Sequence, residues 1–317
     1  MIEIWKQGFA AFPWVAPFMA VVVGACVGSF LNVCIYRIPK GESVVYPPSH
    51  SANGRPLSWW ENIPVISWFY LRGRDRVTGE PFSFRYPFVE MLTAGVFFWL
   101  WQSHHPLVAI VMMFFVALLI VGAFIDYDHM ILPDSVTVVG MTAGVALSLL
   151  VPGVQDISSF PNVISPQLSA GALALIGALV GSGLVFWVRE LSEMFLKRPS
   201  VGEGDLKLMG CIGAFCGWQG AVFAFFAGCL VGVVVLVPLK LFGNFKKEGD
   251  AFRSGVDVVS ADCACGNIRE KKPSAWEWEV PFGPFLAIGA TAYLLGCAGF
   301  VDRFFDLAGQ VFFGPVL

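Results

Sequence analysis

Two short stretches of this 317-residue chain carry the residues best suited to acid–base chemistry. The first, FIDYDHMILPDSVT at 124–137, sets Asp126, Asp128 and Asp134 between two long apolar segments. The second, GEGDLK at 202–207, puts Asp205 at the edge of another hydrophobic run. Acids at the end of a membrane segment are costly and mark a functional site by default. Two carboxyl groups held close together do not both ionise easily. Such a pair keeps one ionised base to activate water and one protonated acid to polarise a peptide carbonyl. That is aspartic-protease chemistry, and it requires neither a metal nor a covalent intermediate. The two stretches are expected to meet, with Asp126 and Asp205 as the pair. Gly202 and Gly204 have no side chains, so another backbone or a substrate strand can approach Asp205 closely. Asp134 follows Pro133, and both suit the first turn of a helix. Asp128 and His129 read as loop residues beside Asp126.

The elements that must bring these acids together are membrane helices. The chain is 56% hydrophobic and only 14% charged, with a mean hydropathy of +0.71. A soluble domain carries about 25% charged residues. Several runs reach the roughly 20 residues that cross a bilayer as a helix, the element that satisfies its own backbone in lipid. The expected fold is an all-α polytopic membrane protein of about eight transmembrane helices with a large first cytoplasmic loop. Spans are expected near 13–35, 86–101, 107–124, 135–151 and 168–188. Two short helices hinged at Gly217-Trp218-Gln219-Gly220 fit between 206 and 238, and a last span fits 281–297. The tail, 299–317, reads as an interfacial segment or as a further crossing. The first run ends in Asn32, Tyr36 and Arg37 rather than at a small-residue cleavage site, so it reads as a retained span.

Charge orients these spans. Segments 40–85 and 240–279 are rich in Lys and Arg, whereas 152–167 contains neither. By the positive-inside rule the first two are cytoplasmic and the third is outside. Between Asp126 and Asp205 the chain leaves through one span and returns through the next, so both acids lie at the cytoplasmic face. The same acids also fit a proton or cation relay in a transporter, with Asp126 and Asp205 as its stations. Against that reading, no midplane charge continues a path across the membrane.

Other polar groups offer less. Cys26, Cys34, Cys211, Cys216, Cys229 and Cys297 lie in or beside apolar runs, where cysteine behaves as a small buried hydrophobe. Cys263 and Cys265 form a lone C-x-C in a polar loop, short of the four ligands a structural zinc requires. His104 and His105 are adjacent in a turn and would point apart on a helix. No metal site is expected, and the partners expected are peptide substrates and the lipid bilayer rather than nucleic acid.

Taken together, the motifs resemble those of the type IV prepilin peptidases, also called prepilin leader peptidase/N-methyltransferases. The resemblance rests on Gly28-Ser29-Phe30-Leu31-Asn32-Val33 with Tyr36-Arg37-Ile38-Pro39, and on Glu61-Asn62-Ile63-Pro64. It continues through Leu71-Arg72-Gly73-Arg74 and Arg85-Tyr86-Pro87 to Glu90. Asp126-x-Asp128-His129 with Leu132-Pro133-Asp134, Gly202-x-Gly204-Asp205-x-Lys207 and Pro281-Phe282-Gly283-Pro284 complete it. It implies a GxGD-type aspartic endopeptidase of the bacterial inner membrane, with its active site facing the cytoplasm. Asp126 and Asp205 match the family's catalytic pair, and Asp128, Gly202, Gly204 and Lys207 are supporting candidates. The implied substrates are prepilins or pseudopilins, cut after the glycine that ends a short basic leader. Cleavage needs no cofactor. In many members, methylation of the new N-terminus with S-adenosylmethionine follows.

The resemblance also divides the chain. Residues 1–105 would form the first span, cytoplasmic loop and second span, a region associated with methyl transfer. Residues 106–317 would form the membrane peptidase domain, with a cytoplasmic loop at 240–279. One departure from the family stands out. Many members carry two C-x-x-C pairs that bind zinc in the first loop. Here the matching stretches read Ser49-His50-Ser51-Ala52-Asn53-Gly54 and Arg74-Asp75-Arg76-Val77-Thr78-Gly79, and the loop has no cysteine. No zinc is expected there. The loop should instead hold its shape by contacts such as Trp59, Trp60 and Trp68 packing beneath it.

Overall fold

Apolar runs bounded by proline at one end and polar residues at the other fold as helices. A computed structural model describes residues 12–46, 59–74, 76–77, 79, 81–155, 165–197, 201–242 and 280–313. Its helices are α1 (Val15–Arg37), α2 (Ile66–Tyr70), α3 (Arg85–Ser103), α4 (Pro106–His129) and α5 (Asp134–Leu150), followed by α6 (Pro166–Leu196), α7 (Glu203–Phe242), α8 (Gly283–Ala292) and α9 (Ala298–Phe313). The described residues contain no β-strand, only an isolated antiparallel bridge between Arg74 and Pro81. Five apolar helical runs are long enough to cross a membrane: Val15–Lys40, Pro106–His129, Pro166–Leu196, Glu203–Leu239 and Gly283–Val311. Asp134–Leu150 is a shorter apolar helix. This is the all-α polytopic membrane fold the composition implies. Residues 49–54, most of the segment after α5, and the loop holding Cys263 and Cys265 lie outside the described residues.

The helices that matter for the site run past the ends of their apolar stretches. Pro106 starts α4, where a missing N–H costs nothing. The helix then continues through Phe124 to His129 and stops at Met130, which takes a left-handed conformation (φ 55°). Asp128 therefore belongs to the last turn of α4 and not to a loop, a correction to the sequence reading. The apolar signal ended at Phe124, but the backbone hydrogen-bonding ladder does not depend on it. In the same way α6 extends beyond residue 188 to Leu196.

The long run α7 is two limbs. Gly217 (φ 70°, ψ −179°) breaks the helix at the place where a hinge was expected. Contacts show that the chain doubles back there. A Cβ on Gly181 of α6 would touch both Met209 before the break and Ala221 after it. Along α8, glycine contacts pair Phe285 with Gly228, Gly289 with Ala224 and Tyr293 with Gly220, so the second limb runs antiparallel to α8. A helix end inside a bilayer leaves carbonyls that water cannot reach. Gln155, from the segment after α5, satisfies them: its buried Nε2 donates to the Ala214 carbonyl at 2.9 Å and reaches the Phe215 carbonyl and the Ser148 hydroxyl.

Helices α6 and α7 pack at backbone contact, with the Gly213 Cα facing the Gly177 carbonyl. Close approach through small residues replaces the hydrophobic drive that is absent between helices in lipid. The pair α1 and α3 packs similarly through Gly24 and Gly28 against Ala94 and Glu90. At the centre, Phe115 of α4 stacks on Phe215 of α7 with ring centroids 4.4 Å apart.

Between α1 and α3 the chain is held differently. Trp68 sits edge-on to Phe84, donates from Nε1 to the Phe82 carbonyl, and fills the space beside Gly73. Trp60 packs against Tyr70, with the Arg76 guanidinium above its ring. Glu90, buried in α3, accepts hydrogen bonds from the Val65 amide at 2.7 Å and from the Ser29 hydroxyl. Trp60 and Trp68 thus do pack within this segment as expected.

Candidate active site

Asp126 lies in the last turn of α4, where its backbone carbonyl accepts the Met130 amide at 2.9 Å. Its side chain turns toward the start of α8, and the Gly283 amide donates to Oδ2 at 2.9 Å. A Cβ on Gly283 would stand 2.8 Å from that oxygen, so only glycine lets α8 come this close. Asp205 is the third residue of α7 and meets the positive end of that helix. The Gly202 amide donates to its carboxyl group. Both acids are buried, at 6% and 8% exposure, so each depends on protein partners rather than bulk water. They are close enough for the charge on Asp126 to act on Asp205. The Oδ1 atom of Asp205 is buried without a hydrogen-bond partner. A buried carboxyl oxygen left open in this way is costly unless a proton, water or substrate atom serves it.

Leu132 joins the two stretches. It sits in the link between α4 and α5, and a Cβ on Gly204 would lie 2.7 Å from the Leu132 Cβ. The same side chain is in van der Waals reach of Gly122 on α4. Gly204 is therefore glycine to admit a side chain of the neighbouring motif, rather than a backbone or a substrate strand. Gly202 contributes its amide, and a Cβ there would make only an ordinary contact with Asp205.

The remaining candidates form ion pairs around the acids. Lys207 pairs with Asp134 at 2.5 Å, fastening the start of α7 to the start of α5. Arg189 of α6 pairs with Glu203 at 3.3 Å. Asp128 pairs with Arg85, the first residue of α3, at 2.5 Å. The exposed pair Lys207–Asp134 contributes about 0–1 kcal/mol, whereas Arg85–Asp128 is half-buried; the interest of these pairs is geometric. Gly283, Arg85 and Leu132 were not singled out as site residues from sequence, although all three sit inside the motifs quoted above. Among the described residues, no three His, Cys, Asp or Glu side chains gather as a metal site.

Comparison with known proteins bears on this arrangement. Residues 22–104 match the model of the bacterial peptidase A24 N-terminal domain, and residues 113–237 match that of the type IV leader peptidase family. A Myxococcus xanthus protein named prepilin leader peptidase/N-methyltransferase is 39% identical, over 86% of this chain and 88% of its own. Its namesake from Xanthomonas campestris is 30% identical over 92% of this chain and 94% of its own. A third, from Dichelobacter nodosus, is 31% identical over 85% and 88%. No solved structure matches. With Asp126, Asp205, Gly202 and Gly204 inside the matched segment, and with relatives similar along almost their whole length, the chain belongs to the type IV leader peptidase family.

Proposed function

We propose that this protein cleaves the basic leader of type IV prepilins or pseudopilins after its terminal glycine, with Asp126 and Asp205 as the catalytic pair. The observation that carries the reading is the meeting of two buried carboxyl groups from distant helix ends, one with an open oxygen. The ionised member takes a proton from a water molecule, whose oxygen attacks the scissile carbonyl carbon. The protonated member gives its proton to the carbonyl oxygen, producing a tetrahedral diol. Collapse of the diol breaks the C–N bond as a proton passes to the leaving nitrogen. The Gly283 amide keeps Asp126 oriented throughout, and the Gly202 amide does the same for Asp205. The basic loops support a cytoplasmic active site in the inner membrane.

The domain division, with peptidase chemistry in 106–317 and methyl transfer linked to 1–105, belongs to the same reading. S-adenosylmethionine would supply the methyl group. Among the described residues of this segment, buried polar groups are already engaged in the fold: Glu90 by Val65 and Ser29, Asn32 by the Tyr86 carbonyl and Arg37 by the Ser43 carbonyl. Zinc does not fit either, because the first loop has no thiolate to offer.

The test is co-expression with a cognate prepilin. Wild type should convert it to the mature form, and Asp126→Asn or Asp205→Asn should not, while both variants still reach the membrane. Normal processing by either variant would sink the paired-acid mechanism. Mass spectrometry of the mature N-terminus reads methylation separately.

A further inference from the structure

We propose that Arg85 is a positioning residue for Asp126, so that cleavage depends on a side chain from the N-terminal segment. The proposal rests on the paired-acid reading above.

The argument starts from where Asp126 is placed. The last turn of a helix has no following turn to receive its carbonyls, and it frays first. The same end carries the negative pole of the helix dipole, so carboxylates there are disfavoured. α4 nevertheless ends in Asp126, Tyr127 and Asp128. Residues two apart on a helix face different ways. The structure uses this: Asp126 turns to Gly283 of α8, while Asp128 turns to Arg85 of α3. The helix end is thus gripped from two sides, and Arg85 also brings a cation to the pole that needs one.

Arg85 makes a second contact with the same helix. Its guanidinium stands 4.8 Å from the centre of the Phe124 ring, and Phe88, one turn along α3, packs edge-on to that ring. One residue therefore touches positions 124 and 128, on either side of Asp126. The arrangement is not what stability alone would select. Arg85 Nη2 is buried without a hydrogen-bond partner, so the ion pair leaves a donor unmet. What the geometry does achieve is a fixed last turn, and a misplacement of about 1 Å at a reacting group can cost about 100-fold in rate.

The experiment measures kcat and KM for cleavage of a prepilin in reconstituted full-length protein. The variants are Arg85→Ala, Arg85→Lys, Arg85→Asp and the charge-reversed pair Arg85→Asp/Asp128→Arg. Arg85→Ala should lower kcat by about 10- to 100-fold with KM changed by no more than about twofold. Arg85→Lys should recover part of the loss, and the reversed pair should exceed Arg85→Asp alone. Wild-type kcat in Arg85→Ala overturns the proposal. So does a rise in KM at unchanged kcat, which would make Arg85 a substrate contact. If Arg85→Ala fails to accumulate in the membrane, the reversed pair decides, with recovered cleavage supporting the proposal and no recovery overturning it. Wild type and Asp126→Asn run alongside: cleavage by Asp126→Asn, or none by wild type, removes the underlying reading and not the Arg85 assignment alone.

Discussion

Among α4 to α8 the helices meet backbone to backbone: Gly213 lies against Gly177, Gly181 against Met209 and Gly289 against Ala224. Between residues 59 and 85 the chain is held instead by ring faces, a few amide bonds and buried carboxylates. The first kind of contact tolerates no added atom, because both partners are main chain. The second kind involves side chains that can shift. Val65 (φ 63°) and Arg72 (φ 52°) hold left-handed conformations in this segment, a sign that its path is set by tertiary contacts rather than by local preference. The difference teaches that the peptidase site is built on the stiff part of the molecule. The ring contacts of the cysteine-free segment can vary without disturbing it, provided Arg85 keeps its hold on the last turn of α4.

Several experiments can break or sharpen that contrast. The largest effect belongs to the acids themselves. Asp205→Asn should reduce cleavage by about 1,000-fold or more, as loss of a general acid–base group does, read as accumulation of unprocessed prepilin. Next comes Gly213→Ala. Its Cβ would stand 2.0 Å from the Gly177 carbonyl oxygen, so α6 and α7 must separate. The thermal midpoint should fall by an amount equivalent to about 1–3 kcal/mol, and activity should fall with it. An unchanged midpoint would refute the rigid packing of this half.

Gln155→Leu should cost about 1–3 kcal/mol by leaving the Ala214 and Phe215 carbonyls unserved, measured by thermal unfolding in detergent. Trp68→Ala tests the other half. Cleavage should stay within about twofold while N-terminal methylation falls further, because the ring packs under the loop and not against the acids. Equal loss of both activities would erase the distinction between the halves. The smallest effect is expected from chelation: a zinc chelator should leave cleavage unchanged, since the first loop offers no thiolate.

Much of this was legible because membrane helices announce themselves by long apolar runs. Gly217-Trp218-Gln219-Gly220 announced a hinge in the same direct way, and the break falls at Gly217. Asp126 and Asp205 stood out as acids where lipid makes acids costly. What stayed hidden depends on partners far along the chain. Nothing local in Gln155 says that it will close a helix end 59 residues away. Gly283 lies 157 residues from the carboxylate it holds, and a glycine serving through its amide leaves no side-chain signal. Asp128 was misread for a different reason. Hydropathy marks where a helix leaves lipid, whereas its end is set by the left-handed turn at Met130.

The closure of α7 by Gln155 also fixes the reach of the limb that carries Asp205. From residue 203 to the break at Gly217 that limb is about 21 Å long at 1.5 Å per residue, short of the roughly 30 Å of bilayer hydrocarbon. Residues 208–217 of the limb are buried among neighbouring helices, so its shortness is taken up inside the protein, where Gln155 meets its end. Asp205 is thereby carried by a strut held in protein at both ends, by Leu132 beside Gly204 and by Gln155 at Gly217.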